Sequence, residues 1–141
     1  MIAIGCDHAA AELKEELKAC LLEKNIEVRD FGIAPGEKAD YPAVAFVLSN
    51  AVAAGECQLG LLLCGTGVGM SIAANKIRGI RAACCSEPYS AMLSRQHNDC
   101  NVLCMGARVV GPELAKMILD TWLNAEFEGG RHAERVAMLN S

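Results

Sequence analysis

Leu59-Gly60-Leu61-Leu62-Leu63-Cys64-Gly65-Thr66-Gly67-Val68-Gly69 is the stretch from which the rest of the chain is read. Leu59 to Cys64 is a short, nearly continuous apolar run, the pattern of a strand buried on both faces. Alternating glycines then break it, and Ser71-Ile72-Ala73-Ala74-Asn75-Lys76 follows. The stretch therefore predicts a strand, a tight loop and a short helix to about Lys76. A strand apolar on both faces needs a helix layer above and below it.

Similar units lie on either side. Met1 to Cys6 is a continuous apolar strand, and Ala10 to Glu23 places Leu13, Leu17, Cys20 and Leu21 at helical spacing between Glu and Lys. Ile26 to Phe31 reads as a second strand. Pro42 to Ala54 reads as a helix with proline at its start and Gly55 at its end. Beyond the glycine loop come a strand from Arg81 to Cys85, a helix from Glu87 to about Gln96, and a strand from Val102 to Met105. A helix from Pro112 to Phe127 and a last short helix near Arg131 complete the chain. Five apolar strands alternating with helices predict an α/β fold: a doubly wound, Rossmann-like five-stranded parallel sheet with helices on both faces and right-handed crossovers. One domain over residues 1–141 is expected, because a chain of this length buries roughly 70% of its unfolded surface.

Composition narrows the function. The chain is 52% hydrophobic and 21% charged, which excludes intrinsic disorder. Its net charge is −4, with no basic run to neutralise a phosphate backbone, so nucleic acid is not an expected partner. A few converging arginines could still hold one small phosphate. The uncharged stretch from Cys57 to Asn75 is interrupted by four glycines, Gln58, Thr66 and Ser71, so no membrane span is expected. The opening Met1 to His8 meets Asp7 before any signal-like apolar core, and the eight cysteines then read as free thiols in a reducing cytoplasm. Their spacing contains no C-x-x-C and no zinc pattern, so no metal site is expected.

In doubly wound sheets ligands bind beyond the carboxyl ends of the strands. Asp7-His8, Cys64 to Gly69 and Gly106-Ala107-Arg108 stand at those positions. The loop from Gly65 to Gly69 enters a helix, so its amides can converge on an anion. It is not a Walker A loop. It departs from G-x-G-x-x-G at Met70, although Glu87 matches the acidic residue expected about 20 positions on. Alternatively, the glycines only permit a tight turn. Cys64 at the mouth of the loop is where a helix N-terminus can stabilise a thiolate base or nucleophile, or it is one more small buried hydrophobe. His97, in Arg95-Gln96-His97-Asn98-Asp99, is expected on the same rim as an acid or base, or else as a plain helix-terminal histidine. Asp7 with His8 is more than an N-cap requires. Arg131 and Arg135, spaced i, i+4, could grip a dianion together with Arg108, or pair with Glu128 and Glu134.

Together these residues resemble a known family. Gly5-Cys6-Asp7-His8, Asp40-Tyr41-Pro42, Cys64 to Gly69, Ser71 to Lys76, Arg95 to Asn98, Gly106-Ala107-Arg108 and Gly129-Gly130-Arg131-His132 closely resemble the ribose-5-phosphate isomerase B family over essentially the whole chain. The resemblance implies a cofactor-free aldose–ketose isomerase that interconverts ribose 5-phosphate and ribulose 5-phosphate through an enediolate. It implies Cys64 as the base, His97 in ring opening and Thr66 positioning the reacting oxygens. Amides of Gly65, Gly67, Val68, Gly69 and Ser71 surround the oxyanion. Asp7 and Asn98 fall with the sugar-binding positions, Tyr41 is a further substrate-binding position, and His8, Arg108, Arg131 and Arg135 fall with the phosphate-binding set. It implies a homodimer or homotetramer whose sites draw on two subunits. Sister enzymes acting on allose or galactose 6-phosphate leave sugar length open. From other classes stand a non-catalytic nucleotide-binding module and a thiol redox sensor.

Overall fold

The computed structural model describes residues 1–140. Its elements follow in chain order: β1 (Ile2–Cys6), α1 (Ala11–Glu23), β2 (Val28–Asp30), α2 (Tyr41–Ala53), β3 (Leu59–Cys64), α3 (Val68–Ala74), β4 (Ala82–Cys84), α4 (Pro88–Gln96), β5 (Val102–Gly106), α5 (Pro112–Asn124) and α6 (Arg131–Leu139). The five strands form one parallel sheet in the order β2-β1-β3-β5-β4.

Period-two alternation distributes the strand side chains between two cores. Ile4, Cys6, Leu61, Leu63, Leu103 and Met105 face one side, where Leu17, Leu21, Ile118 and Trp122 of α1 and α5 cover them. Ala3, Leu62, Cys64, Val102 and Cys104 face the other, beneath Val44, Leu48 and Val52 of α2 and Met70 and Ala74 of α3. Two glycines let α2 sit low on the sheet. A Cβ on Gly5 would come within 2.8 Å of Val44 Cγ1, and one on Gly60 within 2.7 Å of Leu48 Cδ2.

Element boundaries differ from expectation where tertiary context cuts a run short. β2 keeps only Val28–Asp30 of the expected Ile26 to Phe31, because only those three residues pair with β1; Ile26 and Phe31 still pack on the cores. α5 stops at Asn124, three residues before Phe127, where Ala125 turns extended at φ −87° and ψ 146°. β5 runs on through Gly106, which pairs with Cys64.

From β1 the chain moves outward to β2, then crosses back to place β3 on the other side of β1. The carboxyl ends of β1 and β3 therefore diverge into the crevice where open α/β sheets bind ligands. Asp7 and Cys64 stand at its two lips.

Candidate active site

Cys64 ends β3 with 5% of its surface exposed, and its Sγ accepts a hydrogen bond from the Gly67 amide at 3.1 Å. Gly67 caps α3 with φ +83°, a left-handed conformation that turns the amide back onto the sulfur. There is no room for a side chain at this turn: a Cβ on Gly67 would lie 2.9 Å from the Met105 carbonyl carbon and 3.0 Å from Cys84 Sγ. Thr66 Oγ1 accepts the Val68 amide at 3.2 Å, and Ser71 Oγ donates to the Val68 carbonyl at 2.8 Å. The first turn of α3 has other amides with no acceptor inside the helix, the donors an oxyanion needs.

Neighbouring strands bring further groups to this rim. The Asp7 amide donates to the Leu63 carbonyl at 3.1 Å, which joins the exit of β1 to the end of β3. The Asp7 carboxylate is buried, with Oδ1 accepting the Ala9 amide at 2.9 Å. His8 is exposed and lines a recess of about 270 Å³ with Lys38, Ala39 and Asp40. Lys38 is a cation on this rim that the motif pattern did not single out, because it lies in a loop between elements. The Tyr41 ring lies over Gly69, so close that a Cβ there would fall 2.6 Å from Cε1. Arg108 donates its backbone amide to the Gly65 carbonyl at 3.0 Å and lays its guanidinium along Gly65, 3.4 Å from where a Cβ would stand. The structure thus gathers Cys64, Thr66, Gly65, Gly67, Val68, Gly69, Ser71, Asp7, His8, Tyr41 and Arg108 at one crevice.

It does not bring His97, Asn98, Arg131 or Arg135 there. α4 runs antiparallel to the strands, so the residues that close it arrive where β5 begins, not where it ends. Cys100 and Asn101 lead straight into β5, and the Asn101 amide donates to the Arg81 carbonyl at the entrance to β4. β5 separates that edge from the Cys64 rim by about 13 Å at 3.3 Å per residue. α5 also returns to this edge, where Lys24 at the end of α1 pairs with Asp120 at 2.7 Å. α6 then sets its first turn against His97.

At that edge the His97 and His132 rings stack with centroids 4.2 Å apart and planes 9° from parallel. Glu128 Oε1 lies 3.6 Å from His97 Nε2 and 3.7 Å from His132 Nε2. Burial, with neighbouring His97 and Arg131 adding to it, holds His132 below the usual histidine value. Glu128 is thus engaged with histidines, and neither Arg131 nor Arg135 has an ion-pair partner among the described residues. In the sequence Glu128 stands only as an alternative partner for Arg131 and Arg135 and His132 only as part of a motif, and the signal that joins them to each other is their i, i+4 spacing across Gly129-Gly130.

Two alternative readings lose their support. Glu87 is the N-cap of α4, its carboxylate accepting the Ser90 amide at 3.0 and 3.1 Å, and is not a free ribose ligand. Burial pushes most of the thiols up: Cys6, Cys84 and Cys104 above the ordinary range, Cys85 to about 12 and Cys100 to about 11. Cys6, Cys85, Cys100 and Cys104 are buried packing groups, and the raised Cys84 thiol, though exposed, lacks the lowered value of a reactive sensor. No helix among the described residues is long and apolar enough to cross a membrane.

Comparison with known proteins matches this geometry to a family. The Ribose/Galactose Isomerase family model matches residues 2–139. The ribose-5-phosphate isomerase B of Escherichia coli is 59% identical over 99% of this chain and 94% of that protein. A D-erythrulose-4-phosphate isomerase of Pectobacterium atrosepticum is 52% identical over 96% of this chain and 90% of its own. The structure of Clostridium thermocellum ribose-5-phosphate isomerase B superposes with a TM-score of 0.97 at 52% identity, covering 99% of this chain and 94% of that one.

Proposed function

This chain belongs to the ribose/galactose isomerase family, and on that premise we propose that it interconverts D-ribose 5-phosphate and D-ribulose 5-phosphate through an enediolate. The observation that carries the chemistry is the Cys64 sulfur at the end of β3, shielded from water and receiving the Gly67 amide at 3.1 Å. That amide fixes the sulfur beside the first turn of α3, where a cysteine acting as a base would work.

In this mechanism His97 moves a proton between the anomeric hydroxyl and the ring oxygen to open the furanose. The Cys64 thiolate then takes the C2 proton of the open aldehyde. The C2–H pair becomes the C1–C2 double bond, and the carbonyl pair moves onto O1. First-turn amides of α3 meet the developing charge, while Thr66 positions the reacting oxygens. Proton transfer between O2 and O1, and return of the thiol proton to C1, give the ketose. Asp7, Tyr41 and Asn98 bind sugar oxygens, and His8, Arg108, Arg131 and Arg135 bind the phosphate.

Because Cys64 and His97 stand at opposite edges of the sheet, one chain cannot supply both groups to one sugar. We infer a homodimer or homotetramer in which the His97 edge of one copy closes the Cys64 crevice of another. Phe46, Val47, Val68 and Ile72 on the outer sides of α2 and α3 are exposed, an apolar surface that a second copy would cover. The same reading treats the chain as one domain in a reducing cytoplasm, consistent with eight free cysteines.

The test is isomerisation of ribose 5-phosphate beside allose 6-phosphate, galactose 6-phosphate and erythrose 4-phosphate, with wild type and Cys64→Ala. Wild type should prefer the pentose. Cys64→Ala should lose about 10²–10⁴-fold in kcat while still binding a sugar-phosphate inhibitor. Normal turnover by Cys64→Ala would remove Cys64 as the base, and preference for another chain length would keep the mechanism with a different substrate.

A further inference from the structure

We propose that Glu128 and His132 are positioning residues that brace the His97 imidazole and fix which ring nitrogen carries its proton. The inference rests on the isomerase reading above, in which His97 opens the sugar ring.

His97 needs such support because of where it sits. It is the C-cap of α4, held by the backbone bond from its amide to the Leu93 carbonyl at 2.8 Å, with its side chain 37% exposed. A half-exposed imidazole at a helix end would otherwise exchange rotamers, and proton transfer to a sugar oxygen tolerates little misplacement. His132 supplies a flat wall. Its side chain is only 12% exposed and lies face to face with His97, 4.2 Å between centroids. Glu128 supplies the polar contact, placing one carboxylate oxygen before both Nε2 atoms at 3.6 and 3.7 Å. At these distances the oxygen is an electrostatic neighbour rather than a hydrogen-bond acceptor, and its negative charge favours the Nε2–H form of each neutral ring, leaving the lone pair on His97 Nδ1.

The backbone builds the brace. The Glu128 amide donates to the carbonyl of Gln96, the residue before His97, at 3.0 Å. Gly129 and Gly130, at φ +68° and +56°, then turn the chain so that the His132 amide reaches the Gly129 carbonyl at 3.0 Å. Non-glycine residues would be strained at both positions. Glu128 from this turn and His132 from α6 face His97, while Arg131 and Arg135 act on His132 from α6. On α4 itself, Arg95 is occupied by Asp99 at 3.1 Å. Burial, with His97 and the α6 arginines adding to it, lowers His132, which favours an uncharged ring stacked on His97, and the Glu128 carboxylate lies beside the ring that would carry a proton during ring opening. The trio is not a metal cradle in this arrangement. An ion bound by imidazole lies in the ring plane, and two planes 9° from parallel and stacked do not meet at one ion.

The chain has three histidines, so ring-nitrogen NMR shifts can be assigned by single substitutions. In the full-length enzyme His97 should show the Nε2–H tautomer, and Glu128→Ala and His132→Ala should mix the two tautomers. Both variants should keep the wild-type circular dichroism and lose about 10–100-fold in kcat on ribose 5-phosphate, with KM within about twofold. His132→Phe retains the stacking wall and should recover most of the turnover lost in His132→Ala. Unchanged tautomer and kcat in Glu128→Ala and His132→Ala would overturn the proposal. So would a loss expressed only in KM, which would mean that the pair merely holds the α6 arginines. If wild type failed to isomerise ribose 5-phosphate while Glu128→Ala still shifted the tautomer, the isomerase reading would fall and the brace would stand.

Discussion

Gly67 concentrates three requirements in one residue: a left-handed turn, an amide donated to Cys64 Sγ, and no side chain facing Met105 and Cys84. Gly67→Ala should therefore cost about 1–3 kcal/mol in stability through backbone strain. A displacement of about 1 Å at the sulfur should lower kcat about 10²-fold. Urea melts and steady-state kinetics on the same preparation check both. Lys14 shows a different residue-scale balance, with its side chain 2% exposed and both Asp30 oxygens 2.9 Å from Nζ. Burial opposes both charges, but hydrogen bonding and attraction between them prevail, so Lys14 titrates above and Asp30 below its ordinary value. Asp30 thus stabilises the fold fully above its unfolded value near 3.8, and that contribution disappears as pH falls through the lower folded one. Lys14 contributes fully below 10.5 and loses its contribution as pH rises through the higher folded value. Asp30→Asn should cost about 3 kcal/mol at neutral pH by leaving a buried ammonium short of its partner. It should also flatten the acid limb of stability, which urea midpoints across pH would show. At this scale Cys64 was legible from its place after an apolar strand. The buried Lys14–Asp30 pair was not, because helical periodicity assigned Lys14 to a wet face.

Elements were legible wherever hydrophobic period and length agreed. The run from Leu59 to Cys64 became β3 with unchanged bounds because central strands are apolar on both sides. β2 is an edge strand, and sequence pattern does not show where its pairing stops. α2 owes its depth on the sheet to Gly5 and Gly60, a role visible only once the helix lies above them. A Cβ on Gly60 would meet Leu48 Cδ2 at 2.7 Å, Val52 Cγ2 at 3.2 Å and Val102 Cγ2 at 3.3 Å, leaving no open side into which it could relax. Gly60→Ala should lift α2 and destabilise the fold by about 1–3 kcal/mol, a fall of several degrees in Tm by calorimetry. α2 carries Tyr41 over Gly69, so the same substitution should raise KM for the sugar phosphate more than it lowers kcat.

At the scale of the whole molecule, the sequence supplied the chemical groups but not the sides of the sheet on which they stand. Asp7, Cys64 and Arg108 each follow a strand, so their common rim could be read directly from topology. His97 closes a helix antiparallel to the strands, and Arg131 follows a helix that returns the same way, so both belong to the opposite edge. Placing them on the Cys64 rim would require reversing α4 and α6, whereas a second copy needs only its His97 edge beside the first copy's crevice. Symmetry makes the proposed dimer measurable, because a twofold interface would build two equivalent sites, each with Cys64 from one chain and His97 from the other. Cys64→Ala and His97→Ala homodimers should each be nearly inactive. When the two are mixed and exchange subunits, each heterodimer holds one site with both defects and one with none. With random exchange half the dimers are mixed, so activity should rise to about a quarter of wild type. Subunits that fail to complement after exchange, verified by mass spectrometry of differently tagged chains, would mean that each chain completes its own site and that the separation across the sheet must be closed by movement within one chain.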